Sequence, residues 1–368
     1  MRVPINKGQF TLDTAERAAL FEKNRGFGCE REYAENRRQW SEYPRSGHVA
    51  DYPLHVDVEL ASICNLRCPM CYTISDEFRK KVNAKIMDVD LFKRVVDECA
   101  AGGTYSIRLS FRGEAFLHPR IVDCVRHAKA AGIREVSTLT NGVRIDERMF
   151  TEMMEAGIDW ITFSVDGIGE VYENIRRPAK FDELVAKLRA FKQIKETAGT
   201  VKPVIKVQGV LPAIEHDADA YYAIFSEISD LVSANPLIDF TRSKVDLPKI
   251  PDFSCPQIYQ RLVVGADGLC MMCANDESGD LIVGDANRQT IHEIWHGPEM
   301  SRVRDLHARH LACAQLTACA NCYLPLQTFT DEVRVGARSV AAEKYVNGAQ
   351  SMRELDIPAR GRRDGLSV

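Results

Sequence analysis

The sequence predicts an α/β fold, a partial (β/α)6 TIM-like barrel followed by a small cysteine-rich domain. Two observations predict the barrel. From about residue 55 to 245 the hydrophobic pattern alternates repeatedly between strand and helix periods, and polar side chains suited to chemistry follow the ends of successive strand patterns. A third observation, a set of six cysteines after residue 250, predicts the second domain.

The composition is that of an ordinary globular protein. The chain has 368 residues, of which 45% are hydrophobic and 27% charged, and its formal net charge is −4. This balance gives no reason to expect nucleic acid as a partner. No apolar segment suits a signal peptide or a membrane span, so a cytoplasmic protein with no membrane partner is expected. In that reducing compartment, clustered cysteines indicate metal ligands or redox groups.

Six β-type runs define the predicted barrel strands. They are "HVDVEL", "YSIRLSF", "EVSTLT", "WITFSV", "VIKVQGV" and "LIDFTRS". Helical patterns separate most of them. In "DVDLFKRVVDECAA", for example, Leu91, Val95 and Cys99 share one helix face. Successive strand–helix units favour a parallel sheet with right-handed crossovers, and a curled sheet of six such units is part of a (β/α) barrel.

The chain divides into four segments. Residues 1–50 are polar and helical in pattern and are expected to pack against the barrel, which occupies residues 51–245. A proline-containing linker opens the cysteine-rich domain, residues 246–330, where "RLVVGADGLCMMC" predicts two short strands around a turn. Residues 331–368 have weak periodicity and are predicted to be a C-terminal tail.

The stretch "CNLRCPMC" places three cysteines directly after the first strand pattern. Cys64, Cys68 and Cys71 have no histidine or fourth cysteine beside them, whereas a structural zinc site requires four ligands. Three thiolates suit a cubane iron–sulfur cluster with one open iron, which can do chemistry as well as carry electrons. Three structural or zinc-binding cysteines are the alternative.

The spacing Cys-x3-Cys-x2-Cys after the first strand of a partial barrel resembles the radical S-adenosylmethionine (SAM) superfamily, over roughly residues 55 to 245. The resemblance implies that Cys64, Cys68 and Cys71 hold a [4Fe-4S] cluster, whose fourth iron is chelated by the amino and carboxylate groups of SAM. It also implies a reductant such as flavodoxin or ferredoxin. A 5′-deoxyadenosyl radical would then take a hydrogen atom from an unactivated C–H bond.

The second strand end also matches this family. "FRGEAF" stands where the family has a Gly-Gly-Glu motif, and Arg112 replaces the first glycine. This replacement is tolerable if only the second glycine must allow a close backbone approach. The resemblance then implies that Gly113 and Glu114 approach the methionine amino group of SAM.

Two further strand ends carry polar residues with the same implied role. By resemblance, Asn141 of "TNG" and Ser164 and Asp166 of "SVDG" contact the methionine carboxylate and the ribose. The alternative is structural, because Asn-Gly and Asp-Gly are ordinary turn dipeptides. Arg176 and Arg177 could pair with a carboxylate, but a solvated helix start is the favoured reading for both.

The second domain resembles the SPASM or twitch auxiliary-cluster domain, in its single-cluster version. The shared pattern is a cysteine, twelve residues, a glycine, four residues, a second cysteine and, after a gap, a Cys-x2-Cys pair. The implied ligands of a second [4Fe-4S] cluster are Cys255, Cys273, Cys319 and Cys322. Cys270 and Cys313 are left over. A zinc ribbon is the alternative, because zinc also uses paired Cys-x2-Cys motifs across a hairpin.

These features predict a radical SAM oxidoreductase that acts on a small hydroxylated molecule, such as a sugar, a nucleotide sugar or an aminocyclitol. The expected reaction is dehydrogenation with the auxiliary cluster as electron acceptor. Arg242, near the end of the predicted sixth strand, is a candidate for the base that this reaction needs. Arginine is rarely a base, so pairing of Arg242 with an anion is an equal alternative.

Three other functions stay open. In a radical epimerase, Cys270 or Cys313 would return a hydrogen atom to the opposite face of the substrate. In a maturase of ribosomal peptides the substrate would be a peptide, but residues 1–50 look too short and too helical for a leader-binding domain. A non-catalytic iron–sulfur scaffold would leave Glu114 and Asn141 without a purpose.

Overall fold

The structure is a computed structural model that describes residues 10–238, 247–348 and 351. Its strands are β1 Phe10–Thr11, β2 His55–Val58, β3 Ser106–Arg108, β4 Glu135–Thr140, β5 Trp160–Ser164, β6 Val204–Val210, β7 Leu231–Asn235, β8 Arg261–Val264, β9 Leu269–Met271, β10 Ile282–Asp285, β11 Thr328–Val335 and β12 Arg338–Tyr345. Its helices are α1 Ala15–Arg25, α2 Glu30–Ser46, α3 Asp76–Lys81, α4 Val89–Ala101, α5 Ile121–Ala131, α6 Glu147–Glu155, α7 Gly169–Ile175, α8 Phe181–Ala198, α9 Leu211–Ile214, α10 Ala218–Ile228, α11 Ile291–Trp295, α12 Pro298–Ala308, α13 Ala312–Gln315 and α14 Thr317–Ala320.

One ten-stranded sheet joins the barrel to the cysteine-rich domain. Its order is β1-β7-β6-β5-β4-β3-β2-β8-β9-β10. Strands β2 to β7 pair in parallel and alternate with helices, which confirms the predicted α/β class and partial barrel. Strand β8 pairs in parallel with β2, and β9 returns antiparallel to β8. The predicted hairpin of the cysteine-rich domain therefore extends the barrel sheet.

The two faces of the barrel sheet differ in chemistry. On the outer face, the register row Val56, Ile107 and Val136 is fully buried in the main core. On the inner, concave face, the adjacent row contains Asp57 and Arg108, which form an ion pair at 2.7 Å. Because side chains alternate along a strand, each strand buries an apolar row under the helices and turns a polar row inward. This inner surface is where the chemistry is positioned.

Helices α1 and α2 pack against the concave face near the amino-terminal ends of the strands. Phe21 of α1 packs with Val204 and lies edge-on to Trp160, with ring centroids 5.6 Å apart. Trp40 of α2 lies 6.1 Å from the ring of His55. Ahead of α1, the short strand β1 pairs antiparallel with β7, an element that the sequence did not predict.

Two predicted segments differ from the structure. The sixth barrel strand is β7 and not "LIDFTRS", because α10 ends at Ile228 and the chain enters the sheet directly at Leu231. Residues 237–238 are not in a strand, and the rest of that run lies outside the described residues. In the predicted tail, β11 and β12 form a hairpin. Most of its side chains are exposed or half-buried, and the buried ones are confined to Val333, Val335, Ala342 and Tyr345, so the apolar alternation that marks a core strand is short.

Among the described helices, none is both long and apolar enough to cross a membrane.

Candidate functional site

A cavity of about 220 Å³ lies at the carboxyl ends of the barrel strands. Its lining includes every residue that the sequence proposed for the SAM site: Cys64, Cys68, Cys71, Gly113, Glu114, Asn141, Ser164 and Asp166. These residues come from four different strand ends. They converge because the carboxyl ends of parallel strands meet at one edge of the sheet.

The three cysteines at the cavity are free thiols; Cys64 is exposed, and Cys68 and Cys71 are half-buried with many protein atoms around them. Burial raises the pKa of the Cys64 thiol to about 11, and Glu114 and Cys71 raise it further. Burial also raises the pKa of Cys68, to about 12. Arg176 lowers the pKa of both Cys64 and Cys68 and opposes this effect of burial, and a bound metal would favour the two thiolates further. Three convergent thiols beside an open cavity fit the ligand set of a cluster with one free iron.

Gly113 docks the loop after β3 onto the cysteine loop. A Cβ at this position would lie 2.3 Å from the carbonyl oxygens of both Ala61 and Ile63, and backbone atoms cannot move aside as a flexible side chain can. The next residue continues the contact, because the backbone N–H of Glu114 donates to the Ile63 carbonyl at 2.8 Å. Only glycine fits here, and its fit sets the position of the segment that leads into the three cysteines.

Glu114 and Asn141 connect two strand ends to the cysteine loop. The buried Glu114 carboxylate accepts hydrogen bonds from Thr140 Oγ1 and from the backbone N–H of Asn141, both at 2.8 Å. Burial raises the pKa of Glu114, and these two donors oppose that shift. The Asn141 amide donates to Asn65 Oδ1 at 2.9 Å and lies 3.9 Å from Cys64 Sγ.

Arg176 lies in the cavity wall, so the reading of this residue as a solvated helix start is wrong. Its guanidinium Nη2 lies 2.7 Å from Asp166 Oδ2, and the two side chains are 12% and 1% exposed. Helix α7 ends at Ile175, and the chain turns so that Arg176 faces the Asp166 carboxylate at the end of β5. Arg177 remains exposed and donates to Asn174.

Arg112 is a connector that the sequence analysis treated only as a tolerated replacement for glycine. Its guanidinium donates to both carboxylate oxygens of the fully buried Glu59, at 2.7 and 2.6 Å. Nη1 also donates to the Glu277 carbonyl in the cysteine-rich domain, at 3.3 Å. Glu59 in turn accepts the backbone N–H of Ala266 at 3.1 Å. This network joins the cavity wall to the second domain through buried, charge-assisted hydrogen bonds.

Lys206 is a second residue that the sequence analysis missed. It is 3% exposed and faces the concave side of β6, two residues before the cavity-lining Gln208. Its Nζ lies 5.6 Å from the centre of the Trp160 ring and makes no hydrogen bond or ion pair with any residue that the structure describes. Burial lowers the pKa of Lys206 to about 7, and the Arg25 charge acts in the same direction. The available signal was a lysine at an inward position of an otherwise apolar strand.

The cysteine-rich domain gathers a second group of thiols. Cys255, Cys273 and Cys319 are buried and Cys322 is half-buried. Burial raises the pKa of Cys255 to about 12 and raises that of Cys273 strongly; the proximity of Cys255 and Cys322 adds to the shift at Cys273. Four converging thiols whose pKa values are raised by burial, against the opposing charge of Arg261 at Cys255, fit the complete ligand set of an iron–sulfur cluster or of zinc.

A histidine adjoins this second thiol group. The backbone N–H of Cys255 donates to His307 Nδ1 at 3.3 Å, which leaves the ring proton on Nε2. Nε2 lies 3.5 Å from Cys319 Sγ. Burial lowers the pKa of His307 to about 4, so the neutral ring can donate a hydrogen bond to the sulfur of Cys319 at neutral pH.

The two left-over cysteines have different surroundings. Cys270 is fully buried in the main core, with Sγ 3.7 Å from the Gly268 carbonyl. Cys313 packs beside Cys255 at the second thiol group. Neither cysteine belongs to the described lining of the cavity. Arg242, the candidate base, lies outside the described residues.

A partial barrel with an open three-thiol cavity and a separate four-thiol group defines an iron–sulfur protein with two cluster sites. Comparison with family models agrees. The radical SAM superfamily model matches residues 58–204, and the model of the iron–sulfur cluster-binding SPASM domain matches residues 255–323. Together they match more than half of the chain. The chain therefore contains a radical SAM domain and a SPASM domain, as the cysteine spacings predicted.

Curated relatives match this chain over less than half of their own length. A tungsten-containing aldehyde ferredoxin oxidoreductase cofactor-modifying protein from Pyrococcus furiosus is 31% identical over 156 residues, which cover 42% of this chain and 42% of the relative. A GTP 3′,8-cyclase from Chlorobaculum tepidum is 34% identical over 142 residues, 38% of this chain and 40% of the relative. The chain thus matches about two fifths of the length of these relatives.

Solved structures share the fold. The butirosin radical SAM dehydrogenase BtrN, in complex with AdoMet and 2-DOIA, has a TM-score of 0.53 at 19% identity and covers 75% of this chain and 94% of its own. Streptococcus suis SuiB, bound to S-adenosylmethionine, has a TM-score of 0.51 at 13% identity and covers 80% and 78%. At these identities the likeness concerns the fold alone. A radical SAM domain joined to a SPASM domain uses SAM and two iron–sulfur clusters, and this chain offers a thiol set for each.

Proposed function

We propose that the protein is a cytoplasmic radical SAM oxidoreductase that dehydrogenates a small hydroxylated molecule, such as a sugar, a nucleotide sugar or an aminocyclitol. A flavodoxin or ferredoxin would supply the first electron. The observation that carries the proposal is the arrangement of two thiol groups on one continuous sheet. Strands β2 and β9, which precede Cys64 and Cys273, are separated only by β8. The strands themselves lie roughly 10 Å apart at the usual spacing, but β9 runs antiparallel to β2, so Cys273 lies beside Arg261 near the level of His55, whereas Cys64 follows the opposite end of β2.

In this proposal each residue group has one task. Cys64, Cys68 and Cys71 hold the cluster that binds SAM. Gly113, Glu114, Asn141, Ser164 and Asp166 line the cavity that receives SAM. When bound, SAM and its cluster would supply the radical chemistry that removes a hydrogen atom from the substrate. Cys255, Cys273, Cys319 and Cys322 would hold the auxiliary cluster, which would supply an acceptor for the second electron.

Dehydrogenation of an alcohol also requires a base for the hydroxyl proton. Lys206 suits this task better than Arg242, because a lysine whose pKa is lowered to about 7 is partly neutral at working pH whereas a guanidinium is not. Lys206 is on the same face of β6 as the cavity-lining Gln208, two residues toward the amino-terminal end of the strand, and is not itself in the lining. The substrate proton would therefore have to reach Lys206 through an intervening group.

The epimerase alternative receives no support from the described residues. A hydrogen-donating cysteine must reach the substrate, whereas Cys270 is buried in the core and Cys313 packs at the auxiliary site. Its test is a pair of variants, Cys270→Ala and Cys313→Ala. Unchanged turnover in both would exclude either thiol as the donor.

Iron content and the Mössbauer spectrum of the anaerobically reconstituted protein test the proposal. The comparison is a variant with Cys64, Cys68 and Cys71 changed to alanine, and Cys124→Ala, a core cysteine, is the matched control. We expect about eight irons in the wild type and about four in the triple variant. About four irons falling to none, with zinc in the second site, would contradict an electron-accepting auxiliary cluster.

A further inference from the structure

Three side chains of the types that ligate metals meet at the junction of the two domains, away from both thiol groups. They are Asp51, His292 and His296, and one ligand atom from each lies within 4.8 Å of the others. His292 Nε2 is 3.2 Å from Asp51 Oδ1, and His296 Nε2 is 2.9 Å from the Asp51 carbonyl oxygen. None of the cavity-lining residues belongs to this cluster.

The spacing of the three residues suits a transition metal. The histidines stand four positions apart at α11, so their rings lie on one helix face, with centroids 4.6 Å apart. Ligand atoms bound at about 2.0–2.1 Å in a tetrahedral site lie about 3.3 Å from one another, close to the 3.2 Å separation found here. The side chains of His292 and Asp51 are 45% and 83% exposed, so water can complete the coordination.

The backbone around the cluster is held in place without a metal. Trp295 Nε1 donates to the Ala50 carbonyl at 2.8 Å, which fixes α11 against the segment that carries Asp51. The backbone N–H of Ile291 donates to Glu98 Oε2 at 2.8 Å and anchors the start of the same helix on α4. Contacts of other residues therefore hold the backbone of the three ligands together, and binding a metal through the Nε2 atoms requires the two histidine rings to exchange their hydrogen bonds to Asp51 for bonds to the metal.

The sequence around these histidines reads "HEIWH", the spacing of zinc-dependent hydrolases, but the geometry argues against hydrolysis. The intervening Glu293 would have to serve as the base of such an enzyme. Instead its carboxylate accepts hydrogen bonds from the backbone N–H and hydroxyl of Thr290, at 2.8 and 3.0 Å, in a capping box at the start of α11.

We propose that Asp51, His292 and His296 bind one Zn²⁺ ion, which ties the segment leading into β2 to helix α11 of the SPASM domain. The ion would stabilise the contact between the two domains, because its protein ligands lie at their junction. It would not serve in hydrolysis, because the Glu293 carboxylate is already hydrogen-bonded to Thr290. This site is independent of the radical chemistry proposed above.

The test is isothermal titration of cluster-loaded protein with Zn²⁺ under anaerobic conditions. We expect one site per chain that weakens at least tenfold in Asp51→Asn, His292→Ala and His296→Ala, and a melting temperature that rises with Zn²⁺ only in the wild type. His127→Ala is the matched control: His127 faces Asp97 at 2.7 Å as an isolated pair, so its loss should leave Zn²⁺ binding unchanged. Equal affinity in the wild type and the three ligand variants, or no saturable binding below about 100 μM, would overturn the proposal. Iron content should be unaltered in the ligand variants, which separates failure of this site from failure of the cluster assignments.

Discussion

Replacing Lys206 by methionine should stabilise the protein, and the gain should shrink as the pH rises. In the fold, burial brings the Lys206 pKa from 10.5 to about 7, with Arg25 lowering it further and Glu22 opposing. Below pH 7 the Lys206 ammonium is charged in both the folded and the unfolded state. Burying this charge then lowers the free energy of unfolding by its full amount, about 5 kcal/mol, because each unit of pKa shift corresponds to about 1.4 kcal/mol. Between pH 7 and 10.5 only the unfolded chain stays protonated, and the cost falls.

The linkage relation gives the expected size at two pH values. The cost of Lys206 in the wild type is about 4 kcal/mol at pH 7 and about 2 kcal/mol at pH 9. Methionine has a similar length and no charge, so it removes this cost. We therefore expect the variant to melt several degrees higher than the wild type at pH 7, with roughly half of that advantage left at pH 9.

Anaerobic scanning fluorimetry at pH 7, 8 and 9 measures both melting temperatures. The matched control is Lys195→Met: this lysine is also buried, but its Nζ lies 2.7 Å from Asp230, so its loss should lower the melting temperature. A difference between Lys206→Met and the wild type that does not change from pH 7 to 9 would refute the lowered pKa. A destabilised Lys206→Met at pH 7 would mean that the Lys206 ammonium has a stabilising partner beyond the Trp160 ring.

The remaining predictions concern the loops and ligands of the two cluster sites. Gly113→Ala should remove about half of the iron and leave the auxiliary cluster, since its Cβ would collide with the segment before the cysteine loop; full iron content would contradict this. Arg112→Gln should lower the free energy of unfolding by about 3–5 kcal/mol, because the buried Glu59 loses its ion-pair partner. A change below about 1 kcal/mol in chemical denaturation would show that the Glu59 carboxylate has another cationic or hydrogen-bonding partner in the variant. His307→Phe should make the auxiliary cluster harder to reduce, by on the order of tens of millivolts in an EPR redox titration, because the hydrogen bond to the Cys319 sulfur is lost. An unchanged potential would mean that this hydrogen bond is absent when the cluster is bound.

The barrel strands could be predicted because the buried strands coincide with the β-type runs of the sequence. Five of the six predicted strands coincide with β2 to β6, where pattern and burial agree. The prediction of the sixth strand was wrong because two apolar runs, which begin at Leu231 and at Leu237, lie within a few residues of each other. Only the end of α10 at Ile228 decides between them. The hairpin β11–β12 was not predicted because its buried face is short: Val333, Val335 and Ala342 reach the main core, while most of its other side chains are exposed or half-buried.

Convergence of the candidate site could be predicted from its strand ends, but its electrostatics could not. Cys64, Glu114 and Asn141 each follow a parallel strand, and such ends must meet. In contrast, Arg176 and Arg112 owe their roles to ion-pair partners at the ends of other elements. Arg176 pairs with Asp166, which follows β5, and Arg112 pairs with Glu59, which follows β2. A sequence pattern shows which side chains are charged and not which of them pair.

The continuous sheet also determines what happens to the barrel when the SPASM domain is lost. Because β8 covers the edge of β2, a chain cut at the linker would leave the backbone groups of residues 55–58 without a neighbour on one side. A bare edge of that kind is a template for another strand. Variants that unfold the SPASM domain should therefore aggregate before they lose redox activity. The barrel should not stay soluble when it is expressed without that domain.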